Sequence, residues 1–307
     1  MKIAIYGSGG VGSYYGARLA AAGAEVWFIA RGVHYEAIRV KGLRLRSGNG
    51  DLHIHTARVT DDPAAIGPVD VVIVTVKLYD TTTVAEGCKP LIGSQTFVVS
   101  FQNGVTAADI LKAAVGAESV WGGTTYIMSE VVEPGVVVHT GTNARLVFGA
   151  LDGSLTPSLQ AFHTICTKAN IDAVLSTKIL TDIWSKFSFL APLSGMTALT
   201  RCSIGRIRSD SETRAMFQQA VEEVVAVARA KGVALKDDIV AHNMKQADNL
   251  PGTVGSSQLY DLIHGKRLEL PWLSGTVSVL GHELGIPTPV HSFILAGLKF
   301  HVDGSPH

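Results

Sequence analysis

Charge is scarce in this 307-residue chain, and neither sign prevails: 26 Lys and Arg face 26 Asp and Glu, together 17% of residues. Without a basic excess there is no electrostatic footprint for a nucleic acid or an anionic membrane as partner. Cysteine is nearly absent. Cys88, Cys166 and Cys202 stand far apart, with no CxxC pair and no metal-ligand spacing. They are expected to be buried core thiols in a reducing compartment, with no metal bound. No uninterrupted apolar run reaches about 18 residues, so no membrane span is expected. The GxSxG elbow, the P-loop lysine and the paired-carboxylate signature are missing too. His282-Glu283 has no second histidine at HExxH spacing, and His53 and His55 alternate with Leu52 and Ile54 as on a solvated strand face. Met1–Tyr6 already reads as a strand, with no charged leader or cleavage site after it, which points to a soluble cytoplasmic protein.

What the chain does have is apolar bulk and glycine. Hydrophobic residues reach 47%, enough for a sizeable core, and 32 glycines suit an α/β protein with many tight turns. The length favours two domains. Short apolar runs at Lys2–Tyr6, Glu25–Ala30, Val69–Val76 and Thr96–Phe101 alternate with helical stretches at Ser13–Ala22 and Gly104–Ala114. That alternation predicts a doubly wound, Rossmann-type parallel sheet. Between Gly42 and Thr60 the alternation of Leu43, Leu45, Leu52 and Ile54 predicts antiparallel hairpins, and Tyr126–Phe148 predicts another around Pro134-Gly135. After Thr177 strand signals stop. Helices are predicted at Ile179–Phe189, from a Ser209-x-x-Glu212 capping box to Ala230, and at Leu259–His264, Trp272–Leu284 and Pro289–Phe300. The chain thus divides into a dinucleotide-binding domain over 1–177 and a mainly helical substrate and catalytic domain over 178–307.

Gly7-Ser8-Gly9-Gly10-Val11-Gly12 is a GxGxxG motif placed directly after the first strand and before the first helix. There Gly7 permits the tight turn, Gly9 lets the backbone approach a pyrophosphate, and Gly12 lets helix and strand pack closely. Phosphates would sit at the helix N-terminus, where amides and the helix dipole favour negative charge. An NAD enzyme places Asp or Glu at the end of the second strand; this chain has Arg31, a guanidinium suited to a 2′-phosphate. NADP(H) is therefore the expected cofactor. A solvated surface arginine is the plainer reading of Arg31.

With these marks stand Val76-Lys77, Gln102-Asn103-Gly104, Trp184-Ser185-Lys186, Ala198-Leu199-Thr200-Arg201, Ser256-Ser257-Gln258-Leu259-Tyr260-Asp261, Gly265-Lys266-Arg267-Leu268-Glu269 and Gly285-Ile286-Pro287-Thr288-Pro289. In that order and spacing, almost end to end, the chain resembles the ketopantoate reductase (2-dehydropantoate 2-reductase) family. The resemblance implies hydride transfer from NADPH to the keto carbon of a small 2-oxo acid. It makes Lys186 the catalytic lysine and Glu269 the acidic residue facing the substrate hydroxyl. It places Asn103 at the cofactor ribose or the substrate, Lys77 near the nicotinamide half, and Ser257 on the substrate carboxylate. The chemistry agrees, because hydride addition turns a carbonyl oxygen into an alkoxide that needs a positive group and a proton in reach. The alternatives are a helix-surface lysine for Lys186, a structural ion pair for Glu269, and a helix N-terminal charge for Asp261.

The chain also departs from the pattern. Where typical members carry asparagines four and eight residues after the lysine, and a third before the serine, this chain has Leu190, Ser194 and Val254. An unpaired buried polar group costs roughly 1–3 kcal/mol, so a more apolar keto substrate than ketopantoate is one alternative. A non-catalytic NADP(H)-binding sensor is another, although such a protein needs neither Lys186 nor Glu269. Apolar stretches such as Phe293-Ile294-Leu295 are core or the face of a homodimer.

Overall fold

The computed structural model describes residues 1–305. The chain divides into two compact units, Met1–Gln102 with Thr106–Asp182, and Asn103–Val105 with the chain from Ile183 onward.

The first unit runs β1 (Lys2–Tyr6), α1 (Gly10–Ala21), β2 (Glu25–Ile29), α2 (Gly32–Lys41), β3 (Leu43–Ser47), β4 (Leu52–Ile54), β5 (Arg58–Thr60) and β6 (Val71–Val74). It continues with α3 (Thr81–Gly87), β7 (Phe97–Ser100), α4 (Ala107–Val115), β8 (Val120–Glu133), β9 (Val136–Ala150), α5 (Pro157–Lys168) and β10 (Asp172–Leu175). The strands form one mixed sheet in the order β4-β3-β9-β8-β7-β6-β1-β2-β5, with β10 paired to β9. At its centre β1 lies parallel to both β2 and β6, and β7 parallel to β6.

These strands contain almost no polar residue because both faces are covered. Successive side chains point to opposite faces, so Ile3, Ile5, Val71 and Ile73 join the α1 side of the core with Tyr15 and Leu19. Ala4, Tyr6, Val72 and Val74 join the other side with Val84 and Leu111. The sheet thus has the doubly wound centre that the apolar runs predicted.

At Gly42–Thr60 the expectation was half right. β3 and β4 form an antiparallel hairpin, but β5 pairs with β2 in parallel and β3 runs parallel to β9. Alternating burial has the same period in either pairing, so the pattern alone could not decide. The Pro134-Gly135 turn does join two antiparallel strands, β8 and β9, with Gly135 at φ +79°.

The second unit is helical. α6 (Ile179–Thr200) begins within the first unit, and α7 (Ile204–Ser209), α8 (Ser211–Ala230), α9 (Ile239–Asn249), α10 (Ser257–Ile263), α11 (Ser274–Leu284) and α12 (Pro289–Leu298) follow. α6 does not stop at Phe189 as expected but runs through Pro192. Phe187, Phe189, Ala191, Leu193, Met196 and Ala198 are all buried, and that packing outweighs the hydrogen bond a proline removes. The cap of α8 is also corrected. Asp210, not Ser209, accepts the Thr213 amide at 2.9 Å, while the Ser209 hydroxyl donates back to the Arg206 carbonyl. α11 starts at Ser274 rather than Trp272, because Leu270–Trp272 winds as a 3₁₀ turn. The Glu223 carboxylate of α8 accepts the Val290 and His291 amides at 2.8 and 3.0 Å, closing the first turn of α12.

Ile294 is core and Phe293 is 59% exposed, so that apolar stretch divides. Cys88 and Cys166 are buried, but Cys202 is only half-buried, which corrects the expectation for the third thiol. Among the described residues no helix is long and apolar enough to cross a membrane.

Candidate functional site

The loop between β1 and α1 is built by four glycines that meet different neighbours. Gly7 has φ +103°, and a Cβ there would lie 2.6 Å from the Val76 side chain. A Cβ on Gly12 would lie 2.3 Å from the Gly7 carbonyl oxygen, and one on Gly10 2.3 Å from the Ser129 carbonyl oxygen. A Cβ on Gly9 would meet nothing within 4 Å. Three glycines therefore let the protein pack on itself, and one leaves a space above the loop. No side chain caps α1 and no acidic residue sits in its first turn, so the positive end of the helix dipole faces that space. The residues fit a dinucleotide pyrophosphate.

Within the loop, Ser8 is buried: its hydroxyl and its amide both donate to the Ile29 carbonyl at 3.1 Å, and its carbonyl accepts from Ser13 Oγ at 2.8 Å. Val11 is half-buried in the first turn of α1. Arg31 follows β2, is exposed, and is the N-cap residue of α2. Burial raises the Tyr6 phenol above its ordinary value, and the Arg31 guanidinium hydrogen-bonded to it pulls it back.

Lys77 follows β6 in extended backbone. The turn that carries it is held by Gln102, a buried residue whose role no sequence signal revealed. The Gln102 amide nitrogen donates to the Val76 carbonyl at 2.9 Å and to Thr81 Oγ1 at 2.8 Å. Its amide oxygen accepts from Ser100 Oγ at 2.9 Å.

In the second unit, Lys186 of α6 and Asn103 come together: Lys186 Nζ donates to Asn103 Oδ1 at 2.9 Å. Burial lowers the Lys186 ammonium to about 8, and the nearby Glu269 carboxylate opposes that shift. Glu269, 83 residues along the chain from Lys186, is itself buried at the mouth of the Leu270–Trp272 turn. The Asn103 amide oxygen and the Lys186 ammonium, both half-buried, thus meet, with the buried Glu269 carboxylate close enough to act on the ammonium.

Leu190 lies one helical turn beyond Lys186 and is half-buried; Ser194 lies two turns beyond and is fully buried. The Ser194 carbonyl accepts from Gln258 Nε2 at 3.3 Å, which brings the start of α10 to this face of α6. Ser257 is exposed whereas Asp261, one turn on, is buried. The conspicuous hydroxyl of this segment is Ser256, which caps α10 by accepting the Leu259 amide at 3.0 Å and meets Thr197 Oγ1 at 2.7 Å. Val254 is half-buried, its carbonyl taken by the Ile204 amide. Among the described residues no three His, Cys, Asp or Glu side chains gather as a metal site.

Comparison with known proteins returns one family over both units. The family "Ketopantoate reductase PanE/ApbA" matches residues 3–153, and its C-terminal part matches residues 178–302. A 2-dehydropantoate 2-reductase of Archaeoglobus fulgidus is 30% identical, covering 96% of this chain and 95% of that one. The crystal structure of a PanE/ApbA family ketopantoate reductase from Ralstonia eutropha JMP134 superposes with a TM-score of 0.90 at 33% identity, covering 98% of each chain. D-mandelate dehydrogenase with NADH and anilino(oxo)acetate shares the fold, with a TM-score of 0.89 at 22% identity and 98% of each chain covered.

Proposed function

The chain belongs to the ketopantoate reductase family of oxidoreductases acting on C=O and CH–OH centres, and from that premise we propose that it reduces a small 2-oxo acid to the 2-hydroxy acid with NADPH. The observation that carries the proposal is the Lys186 ammonium, held by Asn103 at 2.9 Å and made more acidic by burial, a shift that Glu269 opposes.

The Gly7–Gly12 loop would bind the pyrophosphate over Gly9, Arg31 the 2′-phosphate, and Lys77 and Asn103 the ribose and nicotinamide side. When bound, NADPH supplies the hydride that adds to the keto carbon. Lys186 Nζ–H donates to the keto oxygen, stabilises the negative charge that develops there, and delivers the proton that makes it a hydroxyl. With an ammonium value of about 8, Lys186 is charged at neutral pH yet acidic enough to release its proton and regain one from water. Asn103 Oδ1 directs the Nζ–H bonds. Glu269 favours the charged form of Lys186 and accepts a hydrogen bond from the nascent hydroxyl. Ser257 and Ser194 are the proposed polar partners of the acid's other groups.

Leu190, half-buried one turn from Lys186, favours an acyl arm without a polar group at that point. NADPH oxidation against a panel of 2-oxo acids with apolar and hydroxylated arms tests the reading. Turnover of several members, fastest with an apolar arm, is expected. Tight NADPH binding with no turnover of any member would make the protein a sensor, and preference for NADH would remove Arg31 from its role.

A further inference from the structure

We propose that His34 is a positioning residue of the dinucleotide site, clamping the glycine loop and the first turn of α2 to the β8–β9 turn; this rests on the reading of that site as a cofactor site. The geometry lies wholly within the first unit. The Gly135 amide, in the β8–β9 turn, donates to His34 Nδ1 at 3.1 Å. A backbone N–H can only donate, so Nδ1 is an acceptor and the ring is neutral with its proton on Nε2. His34 Nε2 is buried with no hydrogen-bond partner of good geometry, beside the Ser8 backbone of the loop. One imidazole therefore lies between the loop that would carry the pyrophosphate and a turn some 101 residues further along the chain.

The same hairpin touches the site at further points. The Ser129 backbone of β8 packs so closely on Gly10 that a Cβ there would collide with its carbonyl oxygen. Gly135 lies against Ala37 of α2, and its carbonyl accepts the Arg44 amide of β3 at 2.9 Å. Both proposed phosphate contacts, Gly9 and Arg31, thus stand on segments the hairpin braces. Gly10 braces the loop, and His34 braces the turn three residues after Arg31. A side chain without an acceptor at position 34 leaves the Gly135 amide unmet and the Arg31 turn untied. The expected consequence falls on cofactor binding rather than on the chemistry at Lys186.

The test uses the full-length protein and NADPH itself as the probe, by fluorescence titration, with steady-state kinetics and thermal unfolding in parallel. His34→Ala is expected to raise the Kd for NADPH about tenfold, the loss of one hydrogen bond to a buried amide. Its kcat at saturating NADPH should stay near the wild-type value. His34→Asn carries its Oδ1 at the same bond count from Cα as the imidazole Nδ1 and is expected to recover most of the affinity. Unchanged NADPH affinity in His34→Ala would overturn the proposal. So would a His34→Asn protein as weak as His34→Ala, because a mere filler of space is not rescued by an acceptor. Should His34→Ala not fold, His34→Asn against His34→Leu gives the same comparison. Failure of the wild-type protein to bind NADPH at all would instead overturn the cofactor reading beneath it.

Discussion

The two units make their sites in opposite ways. In the first, the proposed phosphate loop is contiguous: it spans six residues, Gly7 to Gly12, and the neighbours that a Cβ would strike explain its glycines. In the second, nothing is contiguous. Lys186, Asn103 and Glu269 come from three places in the chain, and the only local marks are an ordinary helical lysine and a glutamate in an apolar stretch. A site made of backbone is written in short motifs, whereas a site made of side chains needs the whole fold to bring them together.

If the two sites are separable as this contrast implies, substitutions should divide the function cleanly. Lys186→Ala should lower kcat/KM about a thousandfold, within the range of a lost general acid, while NADPH titration stays as in the wild type. Loss of both together would break the comparison. Next, Gly9→Val and Gly12→Val should part company. Gly9→Val has room for its side chain and should unfold at the wild-type temperature but bind NADPH about a hundredfold more weakly, as a filled phosphate site requires. Gly12→Val meets the Gly7 carbonyl and should fail in the melting experiment first.

Arg31→Glu should reverse the coenzyme preference by about tenfold or more, since a carboxylate repels a 2′-phosphate and accepts from ribose hydroxyls. An unchanged NADPH to NADH ratio of kcat/KM would return Arg31 to the solvent. The smallest effect is in pH dependence. Keto reduction needs protonated Lys186, so its kcat/KM should fall as pH rises through about 8, and the reverse oxidation should rise through the same region. Glu269 opposes the lowering of that value, so Glu269→Gln should move the falling limb to lower pH. A limb that stays in place would detach Glu269 from the lysine.

Much of the first unit was legible because its signals are local. Buried parallel strands read as apolar runs, and Gly7 and Gly135 mark turns that require positive φ. Where two structures share one periodicity, the reading stopped short: the stretch to Thr60 was expected as antiparallel hairpins, but β3 also runs parallel to β9 and β5 parallel to β2. In the second unit, the helix expected over Ile179–Phe189 runs on through Pro192 to Thr200, carried by its buried residues. Ser209 looked like the better cap, but Asp210 reaches the Thr213 amide. Gln102 and Gln258 stood among the family's marks without a role, because an amide side chain announces none until its partners, Val76, Thr81 and the Ser194 carbonyl, are placed around it.

The amino-acid sequence by itself determined the alternating sheet centre and the place of the glycine motif between a strand and a helix, since each is written in residues that are near neighbours in the chain. Only the tertiary structure decided that Asn103 Oδ1 holds the Lys186 ammonium, that Glu269 is near enough to act on it, and that Ser8 turns its hydroxyl to Ile29. It also decided that the β8–β9 turn reaches back to His34. These are contacts across 21 to 101 residues of chain. Their energies depend on burial and distance, which no spacing in the sequence encodes.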